Sequence, residues 1–304
     1  MFALVVDQGT RPALSSKFAE ILGQRIHYVE DGRGGPPVLL LHGIPTHSYL
    51  WRNVIPRITA SARVVAPDLL GFGKSSQPLD ATYDLDTQVK HLAAFIDALG
   101  LEDVIIAGID LGLIIGLEYA MRNSDNVRGL VLMEGLLVPT EVHFKHQPLA
   151  ARMVMKLMHN YSFAEKTLVH SEQAVARMLA SFTAQRLRPA VVDAYAAPFT
   201  KLEVRRRVLL DGIGPYQIRP RSLAPGDIVD RIRIYCGWLQ RARTPKLLLH
   251  ASPGMAVNQR IVNYAQDNIA NLRTRPVGRG KHLLPEDQPH SVGNSIAEFQ
   301  QELR

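Results

Sequence analysis

The chain has 304 residues, 46% hydrophobic and 21% charged, with a formal net charge of +7. That length and balance describe an ordinary globule, either one large domain or one domain with a sizeable insertion, and exclude a disordered chain. The basic excess does not indicate a nucleic-acid binder, because the arginines fall in short groups such as Arg205, Arg206 and Arg207 without aromatic interleaving.

The opening stretch MFALVVDQGTRP has no basic segment leading into a long apolar run, and no later stretch offers about 18 apolar residues free of charge. A cytoplasmic protein with no membrane contact is expected. The single cysteine, Cys236, rules out an internal disulfide and a thiolate metal cluster; in its helical setting it reads as a buried core thiol. No histidine pair has zinc-ligand spacing with a third ligand, so no metal is expected.

In chain order, FAEILG and RIHYVEDG predict a hairpin. PPVLLLHG follows as a continuous apolar strand of the kind buried on both faces of a parallel sheet. SARVVAPD supplies another strand. LDTQVKHLAAFIDALG then places Val89, Leu92, Phe95, Ile96 and Leu99 at helical spacing, stopped by Gly100. DVIIAGID, LGLIIGLEYAMRNS and VRGLVLME continue the alternation of strand and helix, which favours a parallel sheet covered by helices.

Between 137 and 225 the pattern changes to short helical segments separated by prolines, with no convincing strand. This predicts a helical cap inserted into a core made of residues 1–136 and 226–304. The cap methionines Met153, Met155, Met158 and Met178 suit helix faces, either packing on the core or lining an apolar pocket. TPKLLLHASPG, a weaker strand NLRTRPVG and the amphipathic helix HSVGNSIAEFQQEL complete an α/β fold.

Four features carry chemistry. Gly108-Ile109-Asp110-Leu111-Gly112 lies between a predicted strand and helix, where small residues permit a tight turn that lifts the central side chain above the sheet, here a carboxylate. His42-Gly43-Ile44-Pro45 follows the third strand, so the backbone amides of Ile44 and Leu111 can converge near Asp110 as an oxyanion hole. His42 itself is expected to brace that loop. Glu134 ends the strand VRGLVLME, where it can orient a histidine, and His282 lies on a glycine-bearing loop before the last helix.

HGIPTHSYLWRNVIP, APDLLGFGKSSQP, GIDLG, VLMEG, TPKLLLHASPG and KHLLPEDQP together resemble the haloalkane dehalogenase family, in the branch whose catalytic acid follows the sixth strand. The resemblance implies an α/β-hydrolase fold, with a mostly parallel eight-stranded sheet and an inserted helical cap. It assigns Asp110 as nucleophile, His282 as the base that activates water and Glu134 as the acid supporting that base. The implied reaction displaces halide from a small apolar molecule through an enzyme ester that water hydrolyses, without a cofactor. Two positions depart from the pattern: Ile44 and Leu111 stand where that branch has an asparagine and a tryptophan that donate hydrogen bonds to the leaving halide.

The departures keep other readings open. Epoxide hydrolases are also similar and protonate the opening oxygen with cap tyrosines, for which Tyr161, Tyr195 and Tyr216 are the candidates. A tailoring enzyme using Asp110 and His282 as acid and base, or a ligand-binding protein without activity, also fits the residues. Monomer and homodimer are both compatible with the sequence.

Overall fold

A computed structural model describes residues 15–212 and 228–304. Its strands are β1 (Ser16–Ile21), β2 (Gln24–Asp31), β3 (Val38–Leu41), β4 (Val64–Pro67), β5 (Val104–Ile109), β6 (Val127–Met133), β7 (Lys246–Pro253) and β8 (Leu272–Gly280). They form one sheet in the order β1-β2-β4-β3-β5-β6-β7-β8. β1 and β2 are an antiparallel hairpin, β2 runs antiparallel to β4, and all other neighbours are parallel.

Burial explains which strands are conspicuous in the sequence. Every residue of β3, β4 and β5 is buried, because helices cover both faces of the sheet centre, and these strands read as unbroken apolar runs. β8 is an edge strand with most of its residues partly or fully exposed, which is why NLRTRPVG signals so weakly.

The crossover helix Leu85–Ala98 starts at Asp84, whose side chain accepts from the Thr87 amide at 2.8 Å, and buries Leu85, Val89, Leu92, Phe95 and Ile96. The helix Leu111–Arg122, directly behind Asp110, is buried from Leu111 to Ala120. Between β6 and β7 the described residues are helical: Thr140–His146, Leu149–Met158, Tyr161–Leu168, Ala174–Phe182, Pro189–Ala196 and a widened turn Arg205–Leu210. The helix Ile228–Leu239 then leads back to the sheet and buries Cys236, whose thiol burial pushes well above its usual range. Met153 is 60% exposed and faces solvent. Met158 and Met178 pack against the core.

Among the described residues no helix is long and apolar enough to cross a membrane. No cluster of three or more His, Cys, Asp or Glu side chains there could hold a metal ion.

Candidate active site

Asp110 lies between β5 and the helix that follows, with φ 53° and ψ −122°. A non-glycine residue in such a conformation costs about 1–3 kcal/mol and persists only where its surroundings enforce it. Two glycines let those surroundings close in. A Cβ on Gly112 would lie 2.4 Å from the carbonyl oxygens of Leu41 and His42, so only glycine lets the helix start on the end of β3. A Cβ on Gly43 would lie 2.4 Å from the Asp110 Cβ, so the loop after β3 reaches the carboxylate only because that side chain is absent.

This approach places the Ile44 amide 3.0 Å from Asp110 Oδ1, and the Leu111 amide also donates to the carboxylate. His42 braces the loop from beneath. Its Nδ1 donates to Gly43 O at 3.1 Å and its Nε2 accepts from the Leu69 amide at 2.9 Å, while burial lowers the ring to about 4 and keeps it neutral.

On the other side, His282 Nε2 lies 3.0 Å from Asp110 Oδ2, and His282 Nδ1 lies 3.4 Å from Glu134 Oε2. The Glu134 side chain is fully buried, His282 is 6% exposed and Asp110 is 29% exposed. Of the three, the nucleophile candidate is therefore the one open to an incoming molecule. Glu134 is held chiefly by backbone: Oε2 accepts from the amides of Met255 at 3.1 Å, Ala256 at 2.7 Å and Val257 at 3.4 Å. These amides come from the loop after β7, which brings no carboxylate of its own and anchors one from β6.

Burial works against ionisation of Asp110. The hydrogen bond and charge of His282, together with the two amides, outweigh it and hold the carboxyl below its usual range. Burial also disfavours the imidazolium of His282, yet Asp110 and Glu134 prevail and push the ring up to about 10. At neutral pH the two form an ion pair.

The helical insertion reaches this pair. Phe182 O accepts from the amides of His282 at 2.8 Å and Leu283 at 3.0 Å, and the Phe182 ring centroid is 4.8 Å from that of His282. Asp287, just beyond His282, accepts from the amides of Lys281 at 2.9 Å and Ala184 at 2.8 Å, pinning the loop from both sides.

The candidate tyrosines are not brought to Asp110. Tyr195 is fully buried, with its hydroxyl 2.5 Å from Glu286 Oε1, inside an ion pair in which Arg52 holds both carboxylate oxygens at 2.5 and 2.9 Å. A hydroxyl committed to a buried carboxylate cannot also serve a leaving group. Tyr161 is 41% exposed and its hydroxyl accepts from Arg206 at 3.1 Å, on the outside of the insertion. Tyr216 lies outside the described residues.

Nothing in the sequence around His143 sets it apart from the other histidines. It is 5% exposed, and burial, followed by the charges of His146 and His282, lowers its ring to about 4. Gln147 Nε2 lies 3.2 Å from His143 Nε2 and 3.0 Å from Ala256 O, so the ring accepts at Nε2 and carries its proton at Nδ1.

A family model described as alpha/beta hydrolase fold matches residues 36–289. A haloalkane dehalogenase of Sphingobium indicum is 33% identical over 300 residues, covering 97% of this chain and 98% of that protein. One of Mesorhizobium japonicum is 32% identical, covering 93% and 90%. The crystal structure of the haloalkane dehalogenase DbeA from Bradyrhizobium elkani superposes with a TM-score of 0.86 at 30% identity, covering 96% of this chain and 99% of that one. DatA from Agrobacterium tumefaciens gives 0.83 at 29% identity, covering 95% and 97%. With this likeness running nearly end to end in sequence and fold, the chain belongs to the haloalkane dehalogenase family of α/β-hydrolases.

Proposed function

We propose that this hydrolase attacks a small apolar substrate with Asp110, forming a covalent ester that water activated by His282 then cleaves. The supporting observation is the partly open Asp110 carboxylate, with backbone amides on one oxygen and an imidazolium on the other. In the first step a carboxylate oxygen displaces the leaving group from carbon. Esterification removes the negative charge that raised His282, so its proton affinity falls, the imidazolium releases its proton to solvent alongside the departing anion, and the neutral ring becomes a base for water. Water attacks the ester carbonyl, the amides of Ile44 and Leu111 receive the developing negative charge, and collapse returns the carboxylate and releases an alcohol. Glu134, fixed by the loop after β7, keeps the imidazole oriented and favours its protonated form. The helical insertion serves as the cap, contacting the base through Phe182.

Ile44 and Leu111 give the site its distinguishing property. Both side chains are buried, at 6% and 3% exposure, and neither can donate a hydrogen bond. A donor to an anionic leaving group is worth about 1.5–3 kcal/mol, so halide departs here with about two to four orders of magnitude less assistance than from a site with two donors. The reading is therefore a slow or specialised halide-releasing hydrolase. Epoxide opening is disfavoured at Tyr195 and Tyr161, whose hydroxyls are engaged elsewhere.

The test is intact-protein mass measurement during incubation with short and medium haloalkanes and epoxides. An alkyl adduct mapping to Asp110 and accumulating in His282→Gln is expected from haloalkanes. Turnover that survives in Asp110→Ala would remove the proposal.

A further inference from the structure

A second constellation joins the amino-terminal hairpin to the turn after β4. Phe18 on β1 pairs with His27 on β2, so Ser16, two residues before Phe18, projects from the same face as His27. His27 Nδ1 is 2.7 Å from Asp68 Oδ2 and His27 Nε2 is 2.6 Å from Ser16 Oγ.

The protonation pattern follows from the partners. Asp68 is fully buried and accepts from the amides of Ser48 at 2.7 Å and Lys74 at 2.8 Å. Burial opposes its ionisation, but the His27 hydrogen bond and the neighbouring imidazoles hold it well below the usual carboxylate range. An ionised carboxylate only accepts, so His27 directs an Nδ1 proton at Asp68, and in the neutral ring this leaves Nε2 to accept from the Ser16 hydroxyl. Lys74 Nζ donates to the same Oγ at 3.2 Å.

The inner two members are buried, with His27 at 3% exposure, whereas Ser16 is exposed. The outer nitrogen of His27 faces a hydroxyl that solvent and solutes can reach. Phe18, 41% exposed, stands beside the imidazole at 5.1 Å between centroids, and the Arg25 guanidinium lies over its ring at 3.6 Å. An aromatic wall with two cations nearby suits a small aryl ester with an anionic leaving group.

We propose that Ser16 is a second nucleophile, activated by His27 and Asp68, which takes acyl groups from small activated carboxylic esters. Ser16 Oγ attacks the carbonyl carbon as its proton passes to His27 Nε2, and the tetrahedral oxygen draws on the Lys74 ammonium. Collapse breaks the bond from carbonyl carbon to leaving oxygen, which takes the proton from His27. Water, deprotonated by the same imidazole, cleaves the acyl-serine to the acid and restores the hydroxyl.

The test uses the full-length protein and a fluorophosphonate, whose reaction with serine imitates acyl transfer, with adducts located by peptide fragmentation. Ser15 is the internal control: it is the adjacent exposed serine, and its hydroxyl donates to Glu30 O at 3.0 Å, with no histidine bonded to it among the described residues. General-base assistance predicts labelling of Ser16 about a hundredfold faster than of Ser15. His27→Gln should bring the two rates together, and Ser16→Ala should remove the burst of p-nitrophenol from p-nitrophenyl acetate. If His27→Gln does not fold, the ratio in the unaltered protein decides alone. Equal labelling of Ser16 and Ser15, or a burst undiminished in Ser16→Ala, overturns the proposal.

Discussion

The imidazole of His282 lies 3.0 Å from the carboxylate of Asp110, and each holds the other in its charged form. This pairing makes stability depend on pH with a definite sign. The folded value of His282, about 10, lies above the ordinary 6.5, so its contribution is complete below about pH 6.5 and is lost as pH rises toward 10. Asp110 is shifted down, so its contribution is present above the ordinary 3.8 and is lost in acid. The urea midpoint should decline between pH 6.5 and 10, and His282→Gln should flatten that decline. Parallel declines in both proteins would exclude the ion pair as the cause.

Supplying the absent donors should accelerate halide release. Ile44→Asn and Leu111→Trp each place an N–H donor beside Asp110 without touching the backbone amides that face it. Each is expected to raise the rate of ester formation from a bromoalkane by roughly ten- to a hundredfold, measured as halide released in a single turnover. Unchanged rates in both would show that the leaving group departs elsewhere.

Gly43 has no room for a methyl group, since its Cβ would meet the Asp110 Cβ at 2.4 Å. Gly43→Ala must push the loop or the carboxylate aside. A displacement on the order of 1 Å in reacting geometry costs about a hundredfold in rate. Ester formation should fall by that amount while far-ultraviolet circular dichroism stays unchanged.

The Arg52–Glu286–Tyr195 cluster joins the core, the loop beyond His282 and the helical insertion. Glu286→Gln removes the buried negative charge and leaves Arg52, 11% exposed, without its counterion. A loss of about 3 kcal/mol in chemical denaturation is expected. Tyr195→Phe should cost about 1–2 kcal/mol and leave the Asp110 adduct forming at its normal rate. An adduct rate that collapsed in Tyr195→Phe would return this tyrosine to the reaction.

The sequence by itself determined the fold and which carboxylate stands on the tight turn after β5. Apolar runs such as VLLL and VIIAGI, helix spacing with glycine stops, and a carboxylate set in GIDLG are local patterns, written by the burial and conformational limits of adjacent residues. Tertiary structure decided how the site is supported and which candidate side chains reach it. Residues 44 and 110, 134 and 256, and 195 and 286 meet only when distant elements pack, and local periodicity carries no record of those distances. Three tyrosines therefore looked equally eligible along the chain, whereas packing commits one to a buried carboxylate and leaves another on the surface. The same packing gives Glu134 its amide cradle and sets Ser16 against His27, a pairing that no spacing between residues 16, 27 and 68 announces.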